Sequence, residues 1–141
     1  MKALHIVLSI AVSLTLAASA WAGSYLDTAA LLLDESHRSA EWMQTHLWDT
    51  KLATINHQLA DARVKSGRAI LVPREVEKAH PHLLLSLEAL ERAMAAAAEG
   101  EPQRFLRLLV QAREEERTFR SILSQQKFTV PDIEKEKAPR N

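Results

Sequence analysis

Glycine and proline divide this chain into long stretches that favour helix. Only three glycines and five prolines occur in its 141 residues, and they fall at the edges of stretches rich in alanine, leucine and charged residues. Glycine and proline at such positions are typical of helix ends. The pattern therefore predicts an all-α domain over residues 23–127. Its three helical segments are expected at about residues 24–66, 73–99 and 102–127.

The first 22 residues have the features of a secretory signal peptide. Lys2 provides a basic start, an apolar run covers residues 6–18, and Ala20, Trp21 and Ala22 form a small-x-small cleavage site. The run is shorter than the roughly 20 apolar residues that a membrane-spanning helix needs. We therefore expect cleavage after Ala22, a periplasmic or secreted location, and no stable membrane anchor afterwards.

Composition excludes several classes of function. The chain has no cysteine, which rules out disulfides, thiol catalysis, iron–sulfur clusters and a lipid-modified cysteine anchor. Lysine and arginine together balance aspartate and glutamate, and no basic face of the kind used by nucleic-acid-binding proteins is evident. Phosphate-binding, nucleophile-elbow and zinc-protease motifs are absent from the sequence. We therefore expect a non-enzymatic protein without a cofactor and without a nucleic-acid partner.

The second and third segments are predicted to form an antiparallel helical hairpin. Gly100, Glu101 and Pro102 link them, and a connection this short can only reverse the chain. Each segment has a seam with the alternating steps of four and three that are typical of helical bundles. The seam residues are Val76, His80, Leu83, Leu87, Leu90, Met94 and Ala97 in one segment and Phe105, Leu109, Ala112, Glu116, Phe119 and Leu123 in the other. Only His80 and Glu116 interrupt their apolar character.

The first segment allows two arrangements. At 1.5 Å per residue it would be about 64 Å long, while each hairpin arm would reach only about 40 Å. We favour one long helix packed on the hairpin, a three-helix arrangement that leaves apolar residues uncovered near its start. The alternative is a break near residues 45–50 that gives a four-helix up-down bundle. No glycine or proline marks such a break, and Asp49 is only a weak candidate for a helix N-cap.

A continuous first helix predicts a surface for a protein partner or for self-association. Its uncovered apolar residues would be Leu26, Ala30 and Leu33. Trp42 points away from the side of the helix that carries Leu33, and an outward tryptophan is a suitable anchor for a protein contact. Trp48, by contrast, is expected at the edge of the core.

Two pairs of residues raise the alternative of a metal site. Asp34 and His37, like Glu77 and His80, are a carboxylate and a histidine three positions apart, a spacing that puts both side chains on one helical face. If the first segment folds back, Glu116 would lie about one turn from the two histidines. The simpler interpretation is that His80 begins a helix, Glu116 pairs with it or with a basic neighbour, and His37 lies on a solvated flank.

The remaining segment, residues 128–141, has two prolines, mixed charges and no periodic apolar face. We expect it to be disordered. Taken together, these features favour an exported helical module that binds a protein partner or self-associates. The alternative function is a helical bundle that binds a metal or another small ligand.

Overall fold

The computed structural model describes residues 2–133, with side chains described from Trp21 onward. Its elements, in chain order, are α1 (Lys2–Gln44), α2 (Thr50–Ala69), a 3-10 turn (Arg74–Val76), α3 (His80–Ala98) and α4 (Pro102–Gln125). No strand occurs in this part of the chain. The all-α prediction is confirmed, and the four helices correspond to the bundle alternative.

The favoured continuous first helix is wrong, because the chain reverses at residues 45–49. Polar side chains, not glycine or proline, end α1. The carbonyl oxygen of Trp42 accepts hydrogen bonds from the Thr45 hydroxyl at 2.9 Å and from His46 Nδ1 at 2.7 Å. Asp49 then begins α2, since its Oδ1 accepts from the backbone N–H of Leu52 at 2.9 Å. Local side-chain bonds of this kind compete with helical hydrogen bonds and stabilise a helix boundary.

Successive helices run antiparallel, and α3 packs against each of the other three. The contact of α2 with α3 is close at Gly67, where an added Cβ would lie 2.9 Å from a methyl carbon of Leu87. The contact of α3 with α4 is close at Ser86, whose buried hydroxyl donates to the Ala112 carbonyl oxygen at 2.9 Å. Small residues at these crossings let the backbones approach each other.

The predicted hairpin seams match the observed core. Every apolar seam residue is buried, from Val76 to Ala97 on one side and from Phe105 to Leu123 on the other. The turn also forms as predicted: Gly100 has φ 74°, a left-handed conformation that favours glycine, and Pro102 begins α4. Pro81 lies in the first turn of α3.

Three of the predicted partner-binding residues belong to the core instead. Leu26, Ala30 and Leu33 are buried in a cluster with residues of the hairpin and with Val64 of α2. The physical reason is the reversal at residues 45–49, which brings α2 back along α1 and covers the stripe that a continuous helix would have left exposed.

The segment after α4 also packs on the core as far as the structure describes it. Val130 is buried, and Phe128 and Ile133 contact the cluster that contains Phe119 and Leu123. Residues 128–133 therefore pack on the core, although we predicted disorder from residue 128 onward. Residues 134–141 of the predicted tail lie outside the described residues.

The predicted signal peptide falls within α1, and its cleavage stays a prediction. Ser24 does not begin a helix, since α1 passes through it. Within the described part of the chain, none of the helices combines the length and apolar character needed to cross a bilayer.

Candidate functional site

Two of the five predicted metal ligands meet between α1 and α4. His37 Nε2 donates a hydrogen bond to Glu116 Oε2, and the other carboxylate oxygen accepts from Arg120 Nε at 2.8 Å. Asp34 lies one turn before His37, but its carboxylate pairs with Arg38 at 2.9 Å. Charged neighbours therefore already occupy both carboxylates.

The other two predicted ligands lie elsewhere. Glu77 is exposed on the segment before α3. His80 begins α3, as the simpler interpretation proposed, and contacts the hydroxyl of Tyr25. In the portion of the chain that the structure describes, no group of three or more histidine, aspartate or glutamate side chains is arranged to hold a metal ion.

Opposing effects set the protonation of Glu116. Burial raises the pKa of its carboxyl, but the hydrogen bond and charge of His37, together with those of Arg120, lower it by more. The net pKa lies below its usual value. Glu116 is therefore a carboxylate near neutral pH and holds α1 to α4 as an ion.

Burial also determines the Tyr25–His80 contact. It raises the pKa of the Tyr25 phenol and lowers the pKa of the His80 imidazole. A protonated hydroxyl can donate to an unprotonated Nδ1, which is 3.1 Å away. Both shifts therefore favour one neutral hydrogen bond between α1 and α3.

Histidine–glutamate contacts join the helices at two further places. His57 on α2 contacts Glu91 on α3 at 2.5 Å, and His82 on α3 contacts Glu115 on α4 at 2.8 Å. Together with His37 and Glu116, these pairs connect three helix interfaces. No sequence pattern predicts the pairs of His57 and His82, because each partner lies on a different helix at a position that only the register of the bundle determines.

A cleft of about 340 Å³ lies beside the His37–Glu116 contact. α1 and α4 both contribute charged side chains to it, and the segment after α4 contributes two apolar residues and one aspartate. The lining residues are Ala30, Leu33, Asp34, His37, Arg120, Pro131, Asp132 and Ile133.

Exposed aromatic side chains surround the reversal between α1 and α2. The Trp42 and His46 rings are stacked, with centroids 3.8 Å apart and planes 10° apart. Trp42 is 43% exposed, and Trp48 is 78% exposed. Trp42 therefore points outward, as predicted. Trp48 was expected at the core edge, but it does not lie there. We call Trp42, His46 and Trp48 the aromatic corner.

A second apolar stripe continues from the corner along the outside of α2. Ile55 and Leu59 are 54% and 49% exposed, although the opposite side of the same helix is buried in the core. We call this stripe the α2 face; its residues, at steps of four and three, are Leu52, Ile55, Leu59, Ala62, Ser66 and Ala69, and Trp48 lies in the turn just before it. The sequence contains this regular spacing. The prediction of a continuous first helix, however, gave no reason to place these residues on the outer side of the helix rather than on the core side.

The α2 face and the aromatic corner form the candidate functional site. Ile55 and Leu59 are large apolar side chains exposed one turn apart on a helix, and exposed apolar side chains on one side of a helix are a pattern by which a helix binds a partner. Comparison of the chain with known protein families, with curated proteins and with solved structures found no match.

Proposed function

We propose that this protein is a non-enzymatic helical module of the cell envelope that binds a protein partner or a second copy of itself. The observation that carries the proposal is the exposure of Trp42 and Trp48 at the corner, next to Ile55 and Leu59 on α2. The signal peptide predicted from residues 1–22 supports the location, and the absence of known catalytic motifs supports a binding role.

Energetics favour this surface as a binding site. Burial of apolar surface contributes about 25 cal/mol per Å². Covering two exposed tryptophans and the neighbouring aliphatic residues would therefore supply a substantial part of the binding free energy. Tryptophan is also among the residue types that dominate the binding energy of protein interfaces. Since Ile55 and Leu59 lie on a helix that the core already holds, little conformational entropy would be lost on binding.

Photo-crosslinking in the producing cell tests the proposal. A benzophenone amino acid replaces Ile55 in one variant, and Val110, which is 58% exposed on α4, in the control. We expect discrete crosslinked species, whether with another protein or with a second copy, from position 55 and none from position 110. Equal adducts at both positions, or none at position 55, would refute the proposal.

A second candidate function is binding of a small ligand, and the cleft beside His37 is the observation that favours it. Its volume of about 340 Å³ is near the lower limit for ligand sites, and Asp34, His37 and Arg120 offer charges of both signs. The test is the melting temperature of metal-free protein with and without zinc, copper or nickel. A rise that Asp34→Asn removes would support a metal ligand, and no rise would exclude one.

A further inference from the structure

We infer that the groove between α1 and α4 is a second binding site, for a non-helical segment of a protein partner, and that residues 128–133 of the chain occupy it in cis. We call these residues the strap. The inference goes beyond the proposed function, because the residues that line the groove belong to neither the α2 face nor the aromatic corner. The partner segment has the chemistry of the strap, with apolar side chains at its first, third and sixth positions and a carboxylate at its fifth.

The bundle is open along the edge between α1 and α4. α1 packs along α2 and α3, and α4 packs along α3, while His37 and Glu116 reach across the open edge with their side chains. The strap fills the space that remains. Its Val130 is buried in the same core cluster as Leu33 of α1 and Phe119 of α4. The helices therefore form an apolar groove, and the strap is its occupant.

The strap shows which kind of segment the groove accepts. Residues 128–132 lie in neither helix nor strand. Phe128 and Ile133 pack against the core cluster on either side of the buried Val130, whereas Thr129 is exposed. A segment that presents apolar side chains at these three positions can make the same contacts from another chain.

Charge in the cleft favours an acidic residue in the partner segment. Asp132 of the strap lines the same cleft as His37 and Arg120, and a guanidinium is always positively charged. The other carboxylate of the cleft, on Asp34, pairs with Arg38 at 2.9 Å, which offsets its repulsion. A carboxylate at the fifth position therefore suits the site.

The strap is held less firmly than the helices that it covers. Val130 is the only one of its six residues that is fully buried, and a cleft of about 340 Å³ stays open beside it, whereas protein cores are close-packed. Lys127, immediately before the strap, has φ 64°, a left-handed conformation that costs free energy for a residue other than glycine. A partner segment can therefore replace the strap while the four helices stay in place.

A fluorescent peptide with the sequence of residues 127–133 tests the inference on the full-length protein. The receptors are the wild type and Val130→Asp, whose own strap carries a charge in place of its buried side chain. We expect saturable binding to Val130→Asp and at least tenfold weaker binding to the wild type, because the tethered strap competes at an effective concentration on the order of 1 mM. The same peptide with Val130→Asp is the control and should bind neither receptor.

Circular dichroism shows whether the Val130→Asp receptor keeps its helices; if it does not, Val130→Ala takes its place and should bind the peptide more tightly than the wild type does. Benzoylphenylalanine in place of Phe128 of the peptide locates the site, with adducts expected on α1 or α4. A folded variant that does not bind the peptide, equal binding to variant and wild type, or adducts on α2 would overturn the inference. Crosslinking from position 55 in the cell does not depend on the groove, so the inference and the proposed function can fail separately.

Discussion

His37 on α1 donates a hydrogen bond to Glu116 on α4 across 79 positions of sequence. The contact exists because the chain reverses between Gln44 and Thr50, which lets α1 lie antiparallel to α4. A first helix that continued past residue 50 would have carried α2 away from the hairpin. The same reversal buries the stripe from Leu26 to Leu33 and turns the α2 face outward, so one corner determines both the core and the candidate binding surface.

Replacement of Glu116 by alanine should destabilise the fold by about 1–3 kcal/mol. The side chain is only 14% exposed and bonds His37 and Arg120, so its loss leaves the partly buried His37 donor without its acceptor. Glu114→Ala is the matched control, because Glu114 makes an exposed pair with Arg117 that contributes at most about 1 kcal/mol. Urea unfolding compares the variants. Equal losses would mean that the His37–Glu116 contact adds nothing beyond an exposed ion pair.

Leu87→Asp should cost several kcal/mol, whereas Leu31→Asp should cost less than about 1 kcal/mol. Leu87 is 1% exposed in the centre of the hairpin seam, where an unpaired charge loses its hydration. Leu31 is 49% exposed on α1, so an aspartate there remains hydrated. Thermal melts of the two variants measure the difference. Similar losses would show that the assigned seam is not the core.

Asp49→Ala should destabilise the chain by about 1 kcal/mol, since it removes the side-chain oxygen that accepts from the Leu52 N–H. Asp49→Asn keeps an oxygen at that place and should lose much less. Denaturant midpoints of the three proteins provide the measurement. If the two substitutions were equally costly, the charge rather than the cap would be responsible.

Acidification should weaken the fold through His80. Burial lowers the pKa of this imidazole from its ordinary 6.5, so the unfolded chain takes up a proton at higher pH than the folded chain. The stabilisation that depends on a neutral His80 is complete above about pH 6.5, and it is lost as the pH falls through the folded-state pKa of this imidazole. Protonation of Nδ1 would also break the bond from the Tyr25 hydroxyl.

The measurement is the free energy of unfolding of the wild type and of His80→Gln between pH 8 and pH 5. Glutamine still accepts from Tyr25 but does not titrate, and all other histidines are common to both proteins. The wild type should lose more stability than the variant on acidification. Parallel curves would contradict a buried, neutral His80.

The sequence was sufficient to predict the hairpin because its signals are local. Gly100 and Pro102 mark the turn, and the two seams repeat regularly on either side, so composition and spacing alone determine which residues are buried. The same reasoning placed His80 at the start of a helix and Trp42 outside the core.

The corner at residues 45–49 could not be predicted in the same way. Thr45, His46 and Asp49 end one helix and begin the next through side-chain bonds to the backbone, and each residue alone is common inside helices. Because the continuous helix was favoured over the break, Leu26 and Leu33 were assigned to a surface and Trp48 to the core edge. The α2 face became recognisable only when the structure showed which side of α2 is buried.

Sedimentation velocity of three proteins tests the central claim, that the α2 face is the surface through which this protein associates. The proteins are the wild type, Ile55→Lys with Leu59→Lys, and the control Leu106→Lys with Val110→Lys, which places the same charges on exposed apolar positions of α4. We expect concentration-dependent association of the wild type and of the control, and at least a tenfold weaker association of the α2 variant, which corresponds to about 1.4 kcal/mol. A wild type that remains monomeric at every concentration and forms no crosslink from position 55 in the cell, or an equal loss in both variants, would contradict the claim.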